Sequence, residues 1–187
     1  VMRLFVGIPL EEEIRAALAV LLPELAQRLP ACRWVNPDHL HLTLRFLGEV
    51  PDSWLPEVQQ WFQQNVSAGE FKPLKLAGTG CFKHRGRLVF WCGVRAGGWL
   101  AELADRLSGP VACVPAERRP FVPHLTLGRC RLEEGDPAQL AEFQKVFNQW
   151  PLPRAQQTTL RVVLYESQLT PTGSVYRESM VCGAPQA

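Results

Sequence analysis

His41-Leu42-Thr43-Leu44 recurs, letter for letter, as His124-Leu125-Thr126-Leu127. Side chains alternate along a strand, so residues i and i+2 share a face. Each copy therefore reads as a strand with His and Thr on one face and leucines in the core on the other. The chain holds four histidines and seven threonines. Two of the four histidines carrying Thr at +2, inside one repeated tetrapeptide, is a specific signal, whereas a lone HxT is weak. The competing explanation is a pair of core histidines left by gene duplication. Buried imidazoles need hydrogen-bond partners, so that explanation requires two costly coincidences.

Working outward, the same grammar surrounds both copies. In the first half, Leu4 to Ile8 reads as a strand and Glu11 to Leu29 as a helix with Ile14, Leu18, Leu21, Leu22, Leu25 and Leu29 at helical spacing. Leu40 to Leu47 is the motif strand, Asp52 or Ser53 caps a helix to about Val66, and Phe71 to Ala77 is a strand. In the second half, strands are predicted at Leu88 to Val94, Leu125 to Arg131, Leu160 to Tyr165 and Val175 to Val181. Helices are predicted at Trp99 to Leu107 and from Asp136-Pro137 through Phe147. Leu4 precedes His41 by about as much as Val89 precedes His124. The prediction is an α+β fold of two pseudo-symmetric lobes, each an antiparallel sheet with helices on its outer face, around a central cleft. It forms one bilobal domain over 1–187, from two interlocked repeats of roughly 1–80 and 81–187.

Composition sets the bounds. The 187 residues are 47% hydrophobic and 20% charged, which suits a folded globular chain and not a disordered one. A formal charge of +2 is too small for coating nucleic acid by bulk electrostatics. Sixteen of the 20 basic residues are arginine, whose planar fork suits phosphate, although codon bias explains the skew equally well. No apolar run is long enough to span a membrane, and the opening apolar run is too short for a signal peptide. Cys32, Cys81, Cys92, Cys113, Cys130 and Cys182 form no CxxC pair. The expectation is therefore buried reduced thiols in a cytoplasmic protein, without a zinc site.

Two facing His-Thr pairs have a definite chemistry. Imidazole titrates near neutrality, so one His can act as general base while the other acts as acid. The threonine hydroxyls can donate to nonbridging phosphoryl oxygens. The reaction that fits is in-line displacement at phosphorus, with no metal or cofactor.

These residues carry a resemblance. The paired motifs, the opening Arg3-Leu4-Phe5-Val6, Trp34, the Leu40 to Gly48 block and the Arg119 to Arg129 block resemble the 2H phosphoesterase superfamily. Within it, the chain resembles the RNA 2',3'-cyclic phosphodiesterases, also named 2'-5' RNA ligases. The resemblance implies hydrolysis of a terminal RNA 2',3'-cyclic phosphate to a 2'-phosphomonoester. It implies His41 as proton donor to the departing 3' oxygen, His124 as the base that activates water, and Thr43 and Thr126 as phosphate holders. The pseudo-symmetry of the residues alone leaves the acid and base interchangeable. The implied partners are RNA ends or nucleotides bearing the cyclic phosphate; no membrane partner is expected, and a monomer is expected.

Arg129 stands where the family carries a phosphate-contacting basic residue, yet parity places it with the leucines unless a bulge intervenes near Gly128. Arg45 shares the face of His41 and Thr43 by parity and is a substrate-contact candidate. Phe46, Trp34 and Phe121 flank the motifs and are candidates for stacking a terminal base, against an ordinary core role. His84, in the basic turn Lys83 to Arg87, is a weaker candidate for contact with the RNA backbone. Three other readings stand beside the hydrolase: reversible 2'-5' ligation at the same site, a non-catalytic module that binds RNA ends, and a metal-dependent hydrolase using His39 and His41.

Overall fold

Burial alternates along the two motif strands and the strand beside the second, runs unbroken through Leu4 to Ile8 and Val162 to Tyr165, and recurs at helical spacing in the helices. The computed structural model describes residues 1–66, 71–84, 86–131, 137–158, 160–170 and 173–183. In chain order the elements are β1 (Met2–Pro9), α1 (Glu12–Arg28), β2 (Cys32–Trp34), β3 (His41–Val50), α2 (Leu55–Val66), β4 (Leu74–His84) and β5 (Arg87–Arg95). Then come α3 (Gly98–Arg106), β6 (His124–Arg131), α4 (Pro137–Asn148), β7 (Gln156–Gln157), β8 (Val162–Thr170) and β9 (Gly173–Cys182).

The strands form one antiparallel sheet in the order β7-β4-β5-β6-β3-β1-β8-β9, with β2 also paired to β6. Its middle is the β3–β6 junction, bridged at a single residue pair, Leu42 with Leu125. On one side lie β1, β8 and β9; on the other lie β5, β4 and β7. The β1 side draws strands from both ends of the chain, whereas β4 to β7 come from its middle. The C-terminal hairpin β8–β9 returns to β1, and β4 leaves the N-terminal part to pair with β5. The helices pack beside these strands, α1 against β2 and β7, α2 against β8, β9 and α3, and α4 against β4. Leu42, Leu125 and Leu127 belong to the main apolar core, together with Ile14, Leu18 and Leu25 of α1.

Both lobes repeat one irregularity. In β1–β3, Gly7 pairs Thr43 and Val6 pairs Arg45. In β5–β6, Trp91 pairs Thr126 and Phe90 pairs Gly128. Leu44 and Leu127 are thereby skipped, so a bulge falls at the last residue of each repeated tetrapeptide. A bulge puts two successive residues on one side and resets the alternation beyond it.

Three features differ from the sequence expectation. The strands β2 and β7 were not anticipated, because two or three residues carry no readable periodicity. The strand expected to stop at Ala77 continues as β4 through Gly78 and Gly80 to His84. Gly80 is needed there, because the Trp91 ring lies across it and an added Cβ would collide with that ring. Finally, reduced thiols were expected throughout, yet Cys32 and Cys130 face each other in the β2–β6 register and form a disulfide. Cys92 is a buried free thiol and Cys113 is an exposed one. The expected helix cap Asp136 lies outside the described residues, as do Arg85 and the side chain of His84.

Candidate active site

The Leu42–Leu125 bridge fixes the geometry of the site. Antiparallel pairing there sets His41 opposite Thr126 and Thr43 opposite His124. Both leucines point into the core, so all four polar side chains project from the other face of the sheet. The two histidines are diagonal neighbours in this register, a relation that places Cα atoms about 7–8 Å apart. All four residues are half-buried.

Both imidazoles are held in one way. Nδ1 of His41 lies 2.8 Å from the His39 carbonyl oxygen, and Nδ1 of His124 lies 2.6 Å from the Val122 carbonyl oxygen. A carbonyl oxygen only accepts, so each Nδ1 carries a proton and donates it. That leaves Nε2 of each ring as the nitrogen that takes or gives a proton in the site.

Their surroundings differ. The His41 ring lies 4.8 Å from the Phe5 centroid and edge-on to Tyr176 at 5.1 Å, with Tyr165 at 6.3 Å. Burial there lowers its pKa below the ordinary imidazole value of 6.5; the bond to the His39 carbonyl opposes the shift, while the charges of Arg129 and His39 add to it. His124 meets Phe82 edge-on at 5.0 Å and Trp91 at 6.0 Å.

The two bulges decide the fate of the two arginine candidates. Beyond Thr126, Leu127 and Gly128 are both buried, so Arg129 emerges on the face of His124 and Thr126. It is exposed, and its charge is felt at His41. Gly128 allows this because the Trp34 ring packs directly over it; an added Cβ would lie 2.6 Å from that ring. Beyond Leu44 the same reset turns Arg45 inward and Phe46 outward. Arg45, expected on the His41 face, is instead 4% exposed on the core side. Its guanidinium donates to the carbonyl oxygens of Leu107 and Gly109, and to that of Pro115 at 2.9 Å, and it lies over the Trp61 ring at 5.3 Å. It contacts no substrate from there. Phe46, 49% exposed, occupies the position equivalent to Arg129 and lies 5.5 Å from Phe5.

Of the remaining candidates, Trp34 is partly buried against the core, stacked on Phe90 at 5.8 Å and Phe147 at 6.4 Å. Phe121 is partly buried against the main core. His39 packs edge-on to Tyr176. Among the described residues, no three His, Cys, Asp or Glu side chains are grouped to hold a metal ion. Sequence reasoning missed Trp91, Phe82, Phe5, Tyr165 and Tyr176 as site neighbours. Their signal was positional, since each lies on one of the strands that follow the motif strand outward in its own lobe.

Comparison with known proteins gives a consistent result. A family model described as the 2'-5' RNA ligase superfamily matches residues 10–168. The chain is 28% identical over 183 residues to a Thermotoga maritima protein named RNA 2',3'-cyclic phosphodiesterase, covering 97% of this chain and 95% of that one. It is 31% identical to a protein of the same name from Thermus thermophilus, covering 94% and 86%. Among solved structures, one from Thermus thermophilus matches with a TM-score of 0.74 at 30% identity over 97% of both chains. Escherichia coli LigT complexed with 3'-AMP matches with a TM-score of 0.66 at 26% identity over 99% of each.

Proposed function

This chain belongs to the 2'-5' RNA ligase superfamily, and on that premise we propose that it hydrolyses the terminal 2',3'-cyclic phosphate of RNA to a 2'-phosphomonoester. The observation that carries the reading is the Leu42–Leu125 bridge, which sets two His-Thr pairs diagonally on one face. The names of the relatives from Thermotoga maritima and Thermus thermophilus support it.

The proposed step balances with water alone. His124 Nε2 takes a proton from water as its oxygen attacks phosphorus. The bond from phosphorus to O3' breaks in line, and His41 Nε2 gives its proton to O3'. The bond to O2' stays, which leaves the 2'-phosphomonoester. His124 finishes charged and His41 neutral, and exchange with solvent resets both. Thr43, Thr126 and Arg129 donate to the nonbridging oxygens, where negative charge develops. Both proton transfers are supplied by side chains, so the scheme uses no metal.

Before substrate binds, burial and the Arg129 charge favour neutral His41. A phosphate anion seated against Arg129 offsets that charge and favours the proton on Nε2, so His41 becomes a donor when substrate is present. The superfamily's description favours a second reaction through the same groups, in which an RNA 5'-hydroxyl replaces water and yields a 2'-5' linkage. No helix among the described residues is long and apolar enough to cross a membrane. Every group in the scheme comes from one chain, so we take a monomer as the acting form.

The test offers an oligoribonucleotide ending in a 2',3'-cyclic phosphate, in the presence of chelator, and identifies the hydroxyl that keeps the phosphate. A 2'-phosphate product is expected. A 3'-phosphate product, or loss of turnover in chelator, overturns the scheme. Adding a 5'-hydroxyl RNA tests the ligation branch.

A further inference from the structure

The lobe built on β6 carries a charge pattern of which the catalytic scheme uses only Arg129. Arg33 of β2 is the register partner of Arg129, and Arg87 of β5 is the register partner of Arg131. Direct partners in an antiparallel pair share a face, and Arg129 and Arg131 are two residues apart with buried Cys130 between them. All four arginines are exposed, and they stand on the face of His124 and Thr126. None has a carboxylate partner among the described residues.

Like charges placed directly opposite across a sheet are destabilising. Two such pairs in succession make sense where an anion separates the charges. The pairs are spaced along β6 by two residues, about 6.6 Å, a stride comparable with that between successive phosphates of an extended single strand. The row leads away from the His-Thr pairs, so a chain whose end is held there would lay its next phosphate on the second pair. The other lobe offers no such row, because the positions equivalent to Arg129 and Arg131 are Phe46 and Gly48.

We propose that Arg87 and Arg131 form a second phosphate subsite, which holds the internucleotide phosphate next to the cyclic end and makes a polynucleotide end, rather than a cyclic mononucleotide, the preferred substrate. Arg33 flanks the step between the two phosphates. The proposal rests on the cyclic phosphodiesterase reading and deepens it. Modest net charge does not oppose it, because the row is local and needs only four of the 20 basic residues.

The experiment compares three substrates: a 2',3'-cyclic mononucleotide, a dinucleotide with the same cyclic end, and that dinucleotide with a neutral methylphosphonate linkage. The wild-type protein is expected to show kcat/KM about tenfold higher on the natural dinucleotide, the scale of one charge-assisted contact. The methylphosphonate should fall back to the mononucleotide value. The double substitution Arg87→Gln, Arg131→Gln should abolish the dinucleotide advantage, with the loss confined to the substrate bearing the charged linkage. Survival of the advantage in that variant, or in the methylphosphonate, overturns the proposal.

If the wild-type protein turns over none of the three, the proposed function fails and binding decides the subsite separately. A dye-labelled decaribonucleotide ending in a 3'-phosphate, followed by fluorescence anisotropy, should show a log K against log salt slope smaller by about 1 per arginine removed. An unchanged slope overturns the subsite. Thermal unfolding at low salt guards the comparison. Relieving a like-charge pair should leave the variant at least as stable as wild type, and Arg131→Lys should restore most of the dinucleotide advantage.

Discussion

The two lobes put one tetrapeptide to different uses. Both place His and Thr on the open face, both tie Nδ1 to the carbonyl two residues upstream, and both break alternation at the fourth position. The residues past the bulge differ. After Leu44 come a buried arginine and an exposed phenylalanine; after Leu127 come a buried glycine and an exposed arginine. The shared backbone makes two equivalent proton-handling nitrogens. The divergent side chains then give the site a polarity, with Phe5, Phe46, Tyr165 and Tyr176 around His41 and a line of arginines beyond His124. An apolar wall suits a sugar or base, and cations suit phosphates, so the substrate has one orientation although the backbone has two.

The largest expected effect comes from breaking this comparison at its centre. His41→Ala and His124→Ala should each reduce turnover by about two to four orders of magnitude, the usual scale for a general acid or base. The pair should then separate on a cyclic substrate with sulfur at the 3' position, whose thiolate departs without a proton. That substrate should largely rescue His41→Ala and leave His124→Ala inactive. Rescue of the opposite variant reverses the roles, and full activity of either variant on the natural substrate removes the acid–base pair.

The buried arginine ranks next. Arg45 joins β3 to the segment that leads into β6, because its guanidinium collects the carbonyls of Leu107, Gly109 and Pro115. Glu117, just beyond, accepts from the Arg119 side chain and from the backbone N–H groups of Arg119 and Arg118, which pushes its carboxyl pKa down to about 2. Arg45→Ala strands the buried Leu107 carbonyl and removes the partly buried bonds to Gly109 and Pro115, and should cost about 3 kcal/mol in unfolding free energy, read by denaturant titration. Because Arg45 touches only the scaffold, Arg45→Lys should recover part of that stability, and the remaining defect should fall mainly on kcat. A variant as stable as wild type removes the tether.

Arg45 and Arg129 also show how far the sequence could be read. Tetrapeptide, lobes, most strands and all four helices were legible because they rest on period-2 and period-3.6 patterns. Strand parity also gave the correct face for His41, Thr43, His124 and Thr126. It misplaced Arg45 because parity holds only up to a bulge, and Leu44 looks like any core leucine. The partner bulge left one trace, Gly128, which is required beneath Trp34. That residue was recognisable as the point at which a bulge would release Arg129. The Cys32–Cys130 pair spans 98 residues and depends on β2, a strand of three residues, so no local pattern announced it. The same packing sets the effect of Gly128→Ala. A methyl group at 2.6 Å from the Trp34 ring forces a shift that should cost about 1–3 kcal/mol, and it should weaken Arg129 as well. An Ala variant with unchanged stability and KM shows that the ring moves freely.

The smallest expected effect is the most diagnostic of the asymmetry, since it concerns a single proton. Burial, with the Arg129 and His39 charges adding to it, holds His41 below the ordinary imidazole pKa of 6.5. As donor, His41 must be protonated, so kcat/KM, which reports the free enzyme, should fall as pH rises through that lowered value. In kcat, which reports the bound complex, the alkaline limb should lie higher, because the phosphate anion counters Arg129. Arg129→Gln removes one lowering charge, so it should move the alkaline limb of kcat/KM upward while it raises KM. If that limb lies at or above the ordinary imidazole value in the wild-type protein, or moves down in the variant, His41 does not donate from this environment. The aromatic wall around it would then serve binding alone.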